Sequence, residues 1–532
     1  MTKNVFLLSL ASLLFSCSLL AQAKHHHTEP LEKIGKVSFP TTCDESVQEG
    51  FERGVALLHS FWYEEAQKSF KEVLDQDPHC AIAYWGQAMS IYRPLWNRPS
   101  ASDLQNGKKL IQAAQTIDGN SQRERDYIDS LAVLYGDDNR DYQKRSADYC
   151  HVMQRLFTRY PEDREAAVFY ALSLLGSQPD NDSKLENPKR AIAILAELFK
   201  EVPDHPGVAH YLIHAADNPH LADLGLSAAR RYAQIAPASP HALHMPSHIF
   251  ARLGFWQEDI QSNLASIAAT RRSSGMHVGA EHQIHAMDFL EYAYLQIGEN
   301  NKAKAVVDQL AAIHADDVDP GLDGYLDRMR AHMPAMYALE TRQWKEALAL
   351  QPPAGAEPGS RAISYWARAV AAGHLRDVLA ARAAVQQYDA MVDAVRKSSH
   401  PYQADYMSTN RDEAHAWLVF AEGKNDEALS LLRSVADKQD AEGKGEVELP
   451  AREMLGDMFL EMSRLREALA EYEKSLSTDP NRFDGLYGAA RSAELLQLPQ
   501  IAARYYTQLL NNCDALSERP ELSHAKELLA KN

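Results

Sequence analysis

Thiols are scarce in this 532-residue chain, with five cysteines in all, and no pair of them has the spacing of a zinc-binding motif. Apart from Cys17, only Cys43, Cys80, Cys150 and Cys513 remain, too few for a disulfide-built scaffold. None falls between Cys150 and Cys513, which excludes a Cys/His nucleophile anywhere in the middle of the chain. Positive charge is also short: the formal net charge is −18, which argues against a sequence-independent nucleic-acid binder, because phosphate contacts need clustered Lys and Arg. Beyond residue 25 no apolar run reaches the roughly 18 residues of a membrane-spanning helix, so no integral membrane segment is expected. Phosphate-loop, dinucleotide-fingerprint, G-x-S-x-G and H-E-x-x-H motifs are all missing from the sequence.

What is present begins with an address. Lys3 supplies a positive start, Val5 to Leu20 an apolar stretch, and Ala21-Gln22-Ala23 a small-x-small cleavage site, which together predict a signal peptide over 1–23 and export to a periplasmic or secreted location. Lipid anchoring at Cys17 is the weaker alternative, because Leu14-Phe15-Ser16 makes a poor lipobox. His25, His26 and His27 then stand near the new N-terminus as a short solvated tract.

The strongest signal is self-similarity. Residues 47–78 read as two amphipathic helices with Gly54, Ala66, Phe70 and Pro78 at positions 8, 20, 24 and 32 of a 34-residue frame. Gly456, Ala468, Tyr472 and Pro480 fall on the same four positions, and Pro203 and Pro237 lie one period apart. Small residues at 8 and 20 let two helices approach, the aromatic at 24 fills the space toward the next repeat, and proline at 32 ends the second helix. The expected fold is all-α, a right-handed solenoid of about nine to eleven helix pairs, each burying its apolar face on its neighbours. Stretches 97–145 and 176–188 depart from the spacing and read as insertions or longer helices. The expected organisation is an N-terminal segment at 24–44, repeats with an insertion at 45–176, central repeats at 177–314, degenerate repeats at 315–408 and C-terminal repeats at 409–532. Cys43 and Cys80 precede the first helices of adjacent repeats, which makes them the candidate disulfide pair in an oxidising compartment.

This frame resembles the tetratricopeptide repeat family. The segments "AYWGQAMSIYRPLW", "HPGVAHYLIHAADNP" and "HALHMPSHIFARLGFW" are similar to those of a group of exported bacterial tetratricopeptide proteins. The resemblance implies that positions 2, 5, 9 and 12 of each first helix line a concave groove, in which the family commonly takes a protein or peptide partner. It implies no particular reaction.

Histidine is unevenly spread. Ten of the 22 histidines lie in the 81 residues from His205 to His285, where an even spread would put about three. With Pro206 as position 1, His210, His214 and Asp217 take positions 5, 9 and 12; with Pro240 as position 1, His241, His244 and His248 take 2, 5 and 9. In the next unit His285, Asp288 and Tyr292 take 2, 5 and 9, and His332 follows at 5 in a later one. Residues four apart share a helix face, so His210/His214 and His244/His248 can each clamp one ion. Imidazole suits Zn, Cu, Fe and Ni, and a carboxylate such as Asp217 or Asp288 would permit an iron-type set. The candidate ligands are therefore His210, His214, His244 and His248, with His241, His285 and Asp288 as secondary or neighbouring ones. Pro246, between His244 and His248, predicts either a kinked helix or one that starts late. His205 and His282 are candidates for the rim, while His220 and His277 read as surface residues. His59 and Trp85 face the groove in N-terminal repeats and are expected to lie far from the cluster, while Trp85, Tyr92 and Trp96 read as packing of the inner wall, with stacking on a peptide or ligand as the alternative. The stretch "EVELPAREMLGDMF" with Glu446, Glu448, Arg452 and Glu453 reads as a cap or a partner-binding element. Three functions follow: a transition-metal (Zn, Cu or Fe) binding protein, a metal-free scaffold for a peptide or partner in the groove, or a metalloenzyme.

Overall fold

The computed structural model describes residues 33–531 except 96–97, 137–139, 180–183, 274–279, 319–322, 399, 515–516 and 518. The expected signal peptide at 1–23, Cys17, His25 to His27, Trp96 and His277 lie outside the described residues. Among the described residues every regular element is helical. No helix among the described residues is long and apolar enough to cross a membrane.

The helices pack as consecutive antiparallel pairs, from Gln48–His59 with Tyr63–Gln76 to Phe483–Leu495 with Pro499–Asn512. The described residues form twelve such pairs, followed by a closing helix, Pro520–Lys531. That exceeds the nine to eleven expected, because the described part of the irregular stretch 97–145 carries helices that pair regularly. Ala101–Gln115 completes one pair, and Gln122–Leu134 opens the next against Tyr142–Arg159.

The repeat punctuation works as the frame requires. A Cβ on Gly54 would lie 2.6 Å from the Phe70 ring and one on Gly86 2.5 Å from it, so Phe70 is clasped by glycines of its own repeat and of the next. Tyr472 is clasped in the same way by Gly456 and Gly488. Together these contacts and the helix pairing identify the fold as a tetratricopeptide-type solenoid. Proline opens helices at Pro206, Pro240, Pro358 and Pro499, where its missing N–H costs nothing. Cys43 and Cys80 are joined in a disulfide that ties the N-terminal segment to the Ala81–Ile91 helix.

The superhelix closes on itself. Gly254, in the left-handed conformation with φ +66°, sits against the Pro480–Asn481 backbone with no room for a side chain. Trp256 Nε1 donates to the Asn481 carbonyl (2.9 Å), and Ser517 Oγ donates to the Gly298 carbonyl (2.7 Å). Arg482, 1% exposed, holds Glu340 at 2.7 Å and Glu453 at 2.9 Å and also bonds Tyr292. The C-terminal repeats therefore seat on the inner side of the central ones, so the groove there is not open along its length.

Candidate metal centre

Three successive first helices carry the histidines: Pro206–Ala216, the interrupted run Pro240–His244 and Pro246–Leu253, and Ala280–Gln296. Pro246 breaks the middle helix without redirecting it. Met245 keeps right-handed helical angles (φ −51°, ψ −34°) although a residue before proline disfavours them. His244 and His248 thus still share one face, their Nε2 atoms 3.1 Å apart.

The imidazoles fall into two groups. His210, His214 and His241 present one ring nitrogen each within 4.8 Å of one another, and so do His244, His248 and His285. In the first group His210 Nε2 faces His241 Nε2 at 3.1 Å. Two imidazole nitrogens on one tetrahedral zinc at about 2.0–2.1 Å would stand about 3.3 Å apart, so both close pairs need only a small opening to take an ion. His214 Nε2 is buried with no hydrogen-bond partner.

The far side of the rings is anchored. His210 Nδ1 donates to the His59 carbonyl at 2.6 Å. His244 Nδ1 donates to Asn263 Oδ1 at 2.6 Å, and Asn263 Nδ2 in turn donates to Asp259 Oδ1 at 2.6 Å, which fixes the amide orientation. His248 Nδ1 donates to Asp217 Oδ2 at 2.9 Å and Glu446 Oε1 at 2.8 Å. His210 and His244 are thereby held in the tautomer with a bare Nε2 aimed at its neighbour, and His248 is held with Nε2 aimed the same way, the outer-shell pattern characteristic of metal-bound histidine.

Burial dominates the electrostatics. It lowers the pKa of His210 and His285 to about 3 and of His282 to about 4, and it pushes His214, His241 and His244 well below the ordinary value. These rings are neutral at pH 7, the form a metal binds. His248 is the exception. Burial opposes its charge, but the carboxylates of Glu446 and Asp217 outweigh burial and raise its pKa to about 10. Arg252 joins the same cluster, its Nε 3.0 Å from Asp217 Oδ1 and its Nη1 donating to the Lys444 carbonyl at 2.7 Å. With both His248 nitrogens protonated, Nε2–H points at the bare His244 Nε2, occupying the place where an ion would sit.

A third set, His59, Glu165 and His205, looks similar in composition and is different in chemistry. His205 Nδ1 accepts from the Val208 backbone N–H (3.2 Å), so its proton is on Nε2, which donates to Glu165 Oε1 at 2.8 Å. His59 Nε2 lies 2.8 Å from Glu165 Oε2 and its Nδ1 2.9 Å from the Tyr211 hydroxyl. Burial opposes the Glu165 charge, yet the two histidines hold its carboxyl far below the usual range. With His205 Nε2 carrying its proton, this is a carboxylate capped by two imidazoles rather than an ion cage.

Sequence reasoning therefore needs correcting at several points. His59 is not distant from the cluster, since its carbonyl anchors His210. The first repeat pair reaches the central helices because the superhelix curls. His205 does not reach a rim, for it is 4% exposed and bound to Glu165. Asp217 sits on the far nitrogen of His248, outside both groups. Asp288 also stands apart, its Oδ1 3.5 Å from His332 Nε2, with burial raising its pKa to about 7. Tyr292 bonds the Glu448 carbonyl (3.1 Å) and Arg482. Other expectations hold: Trp85 and Tyr92 are buried packing residues, and His220 is exposed. His282 lies beside the first group, its ring 5.2 Å from that of His241. Asn263, Glu165 and Glu446 are not among the expected site residues, and Glu446 belongs to the stretch expected to be a cap or a partner-binding element.

No family model and no curated protein matches the chain. Solved structures do. A tetratricopeptide repeat protein from Parabacteroides merdae is 14% identical and covers 55% of this chain and 97% of its own, with a TM-score of 0.28. The TPR domain of P58(IPK) is 13% identical over 91% of this chain and 99% of that one, TM-score 0.20. IFIT1, in a structure with a capped RNA, is 12% identical over 81% and 90%, TM-score 0.35.

Proposed function

We propose that this is an exported helical-repeat binding protein that holds a transition metal among the imidazoles of three consecutive first helices. The observation that carries the reading is the pairing of near-facing Nε2 atoms, 3.1 Å apart in each group, with far nitrogens anchored on a carbonyl, an amide oxygen and two carboxylates. A hydrogen-bonded polar core does not require convergence of three rings on one point in two adjoining places. A metal does. Export rests on the leader-like first 23 residues and accords with the Cys43–Cys80 disulfide.

The test is elemental analysis of untagged protein in which His25, His26 and His27 are replaced by serine, so that the N-terminal tract cannot contribute. Zn, Cu or Fe near or above one per chain, lost in His210→Gln/His244→Gln, is the expected result. Metal-free protein that stays metal-free after dialysis against micromolar Zn(II) or Cu(II), while folded, would sink the reading.

One observation favours a second role alongside it. Repeat solenoids of this kind serve as interaction scaffolds, and a cleft of about 900 Å³ remains open between the Asp323–Glu340, Pro358–His374 and Ser408–Ala421 helices. Arg98, Tyr325, Arg328, Trp366 and Glu448 line it, and so does His332, which adjoins Asp288 one turn from His285. A peptide or partner protein would find its place there, since residues 444–448 of the chain itself lie against the histidine-bearing helices, through His248, Arg252 and Tyr292. Cross-linking from a photoreactive residue at Tyr325 tests this. Recovery of a defined partner abolished by Arg328→Glu supports it, and labelling indifferent to that change refutes it.

A further inference from the structure

The two imidazole groups have the same make-up, three histidines each, and no ring belongs to both. Within the first group the His210 ring stands 4.7 Å from His214 and 4.9 Å from His241. Within the second, His244 stands 5.0 Å from His248 and 4.5 Å from His285. The groups are also neighbours, with His214 to His248 and His241 to His244 both at 6.4 Å between ring centres. One ion accepts three or four donors at about 2 Å each, so it cannot draw on both groups at once. Filling one group leaves the other intact, with its three nitrogens still converging.

We infer that the centre is dinuclear: each group holds its own ion through three imidazole nitrogens, and the two ions sit side by side across the wall shared by His214, His241, His244 and His248. The inference rests on the metal-binding reading and extends it to number and kind of ion. Every donor is an imidazole nitrogen. Both groups are made of histidines alone, and the carboxylates of Asp217 and Glu446 sit on the far nitrogen of His248, so neither group among the described residues is the two-histidine, one-carboxylate set that suits iron. Oxygen-seeking Mg and Ca find no ligand there. Cu and Zn remain, and three protein donors leave each ion one coordination position not supplied by the chain. Those two open positions belong to adjacent ions, which is the arrangement by which a pair of metals takes one small molecule between them.

The test uses Cu(II) as probe, added to the metal-free full-length chain carrying serine at 25, 26 and 27. Expected are two tightly held coppers per chain, an electron paramagnetic resonance signal far below that of the copper present, and a half-field transition from the coupled spins. His214→Gln and His285→Gln are the variants of choice, because each removes one donor from a single group and His214 Nε2 has no hydrogen-bond partner to lose. Each should fold as judged by circular dichroism, bind one copper, and show that copper at full intensity as an isolated ion. A single copper in the unaltered chain, or two with full mononuclear intensity, overturns the dinuclear inference while leaving metal binding standing. No copper in the unaltered chain overturns both. If either variant fails to fold, the copper count and spin coupling of the unaltered chain decide alone.

Discussion

Closure of the solenoid hangs on one buried cation, and removing it gives a quantitative test. Arg482 Nη2 lies 2.7 Å from Glu340 and 2.9 Å from Glu453, its Nε lies 3.0 Å from Glu453, and it also donates to the Tyr292 hydroxyl. All three partners are buried, and they belong to three different repeats. Arg482→Met keeps most of the volume and strips the counter-charge from two carboxylates that water cannot reach. Leaving a buried charge uncompensated costs about 3–5 kcal/mol, far more than the pair contributes over a hydrophobic replacement. A repeat array does not unfold as one unit, so the readout is amide exchange in the Ala280–Gln296 and Asp323–Glu340 helices. At about 1.4 kcal/mol per decade, protection there should fall by about a hundredfold to several thousandfold. The loss carries a pH signature. Burial already raises the Glu453 pKa to about 7, and without the guanidinium it rises further. A raised carboxyl stabilises the fold in its protonated form, so the defect is smallest at low pH and grows as pH passes through 7 and above. Adding Glu453→Gln to Arg482→Met should recover part of the protection at pH 8. A fall of less than tenfold, or one that does not change with pH, would refute the claim that this ion cluster holds the closure.

Three further outcomes are expected. Asn263→Ala removes the oxygen that orients His244, and loss of such an anchor weakens metal affinity by about 10–100-fold without changing the number of ions, measured by competition with a chromophoric chelator. Gly488→Ala places a methyl inside the space of the Tyr472 ring; overpacking of about 1–3 kcal/mol outweighs the roughly 1 kcal/mol gain in helix propensity, so thermal melts should show a net loss, where a neutral or positive shift would contradict the clasp. Glu413, 2% exposed, has its carboxyl pushed up to about 8 by burial although Trp366 Nε1 donates to it at 2.8 Å. Against an unfolded value near 4.3, its contribution is complete at low pH and is lost as pH rises from there through 8, at most about 5 kcal/mol; Glu413→Gln should flatten the alkaline fall in stability, seen in denaturant midpoints at pH 6 and 9.

How far the sequence reaches is clear from particular residues. Gly54, Phe70, Gly456, Tyr472 and the prolines at position 32 mark the helix pairs because contacts inside a repeat are local, and local spacing is what a sequence displays. The histidines follow for the same reason, since first helices of successive repeats stack and equal positions come together. Asp288 shares that periodicity and still misses both groups, because a helix face a turn away meets His332 of the following unit instead. Glu446 was beyond reach: it meets His248 across 198 residues, a contact made only by the return of the C-terminal repeats. His59 meets His210 across 151 residues through a backbone carbonyl, which no side-chain motif records. Asn263 is nearer, on the second helix of its own pair, but nothing in its spacing separates it from an ordinary polar residue. Such long-range partners are set by the summed curvature of the stacked pairs, and no single repeat encodes that curvature.

The same curvature explains why a groove became an interior. In an open solenoid, histidines at groove positions would be hydrated and would stay near their ordinary pKa. Here residues 444–448 return against these helices and the rings are buried, so a ring nitrogen without a partner costs about 1–3 kcal/mol. Most of the far nitrogens have been given one, on His59, Asn263, Asp217 and Glu446. The near ones are left to each other, and His214 Nε2 has none. Apolar side chains at those positions would pack the same space at no such cost. Stability does not call for six converging imidazoles behind a wall of the chain's own making, whereas an ion that replaces the proton between His244 and His248 and fills the vacancy at His214 turns each unmet nitrogen into a ligand. If that is what the centre does, metal binding and closure are one equilibrium. Glu446→Ala, which frees His248 and loosens the returning segment without touching a ligand, should then weaken metal retention and amide protection of residues 444–448 together. Loss of one with the other unchanged would separate the two.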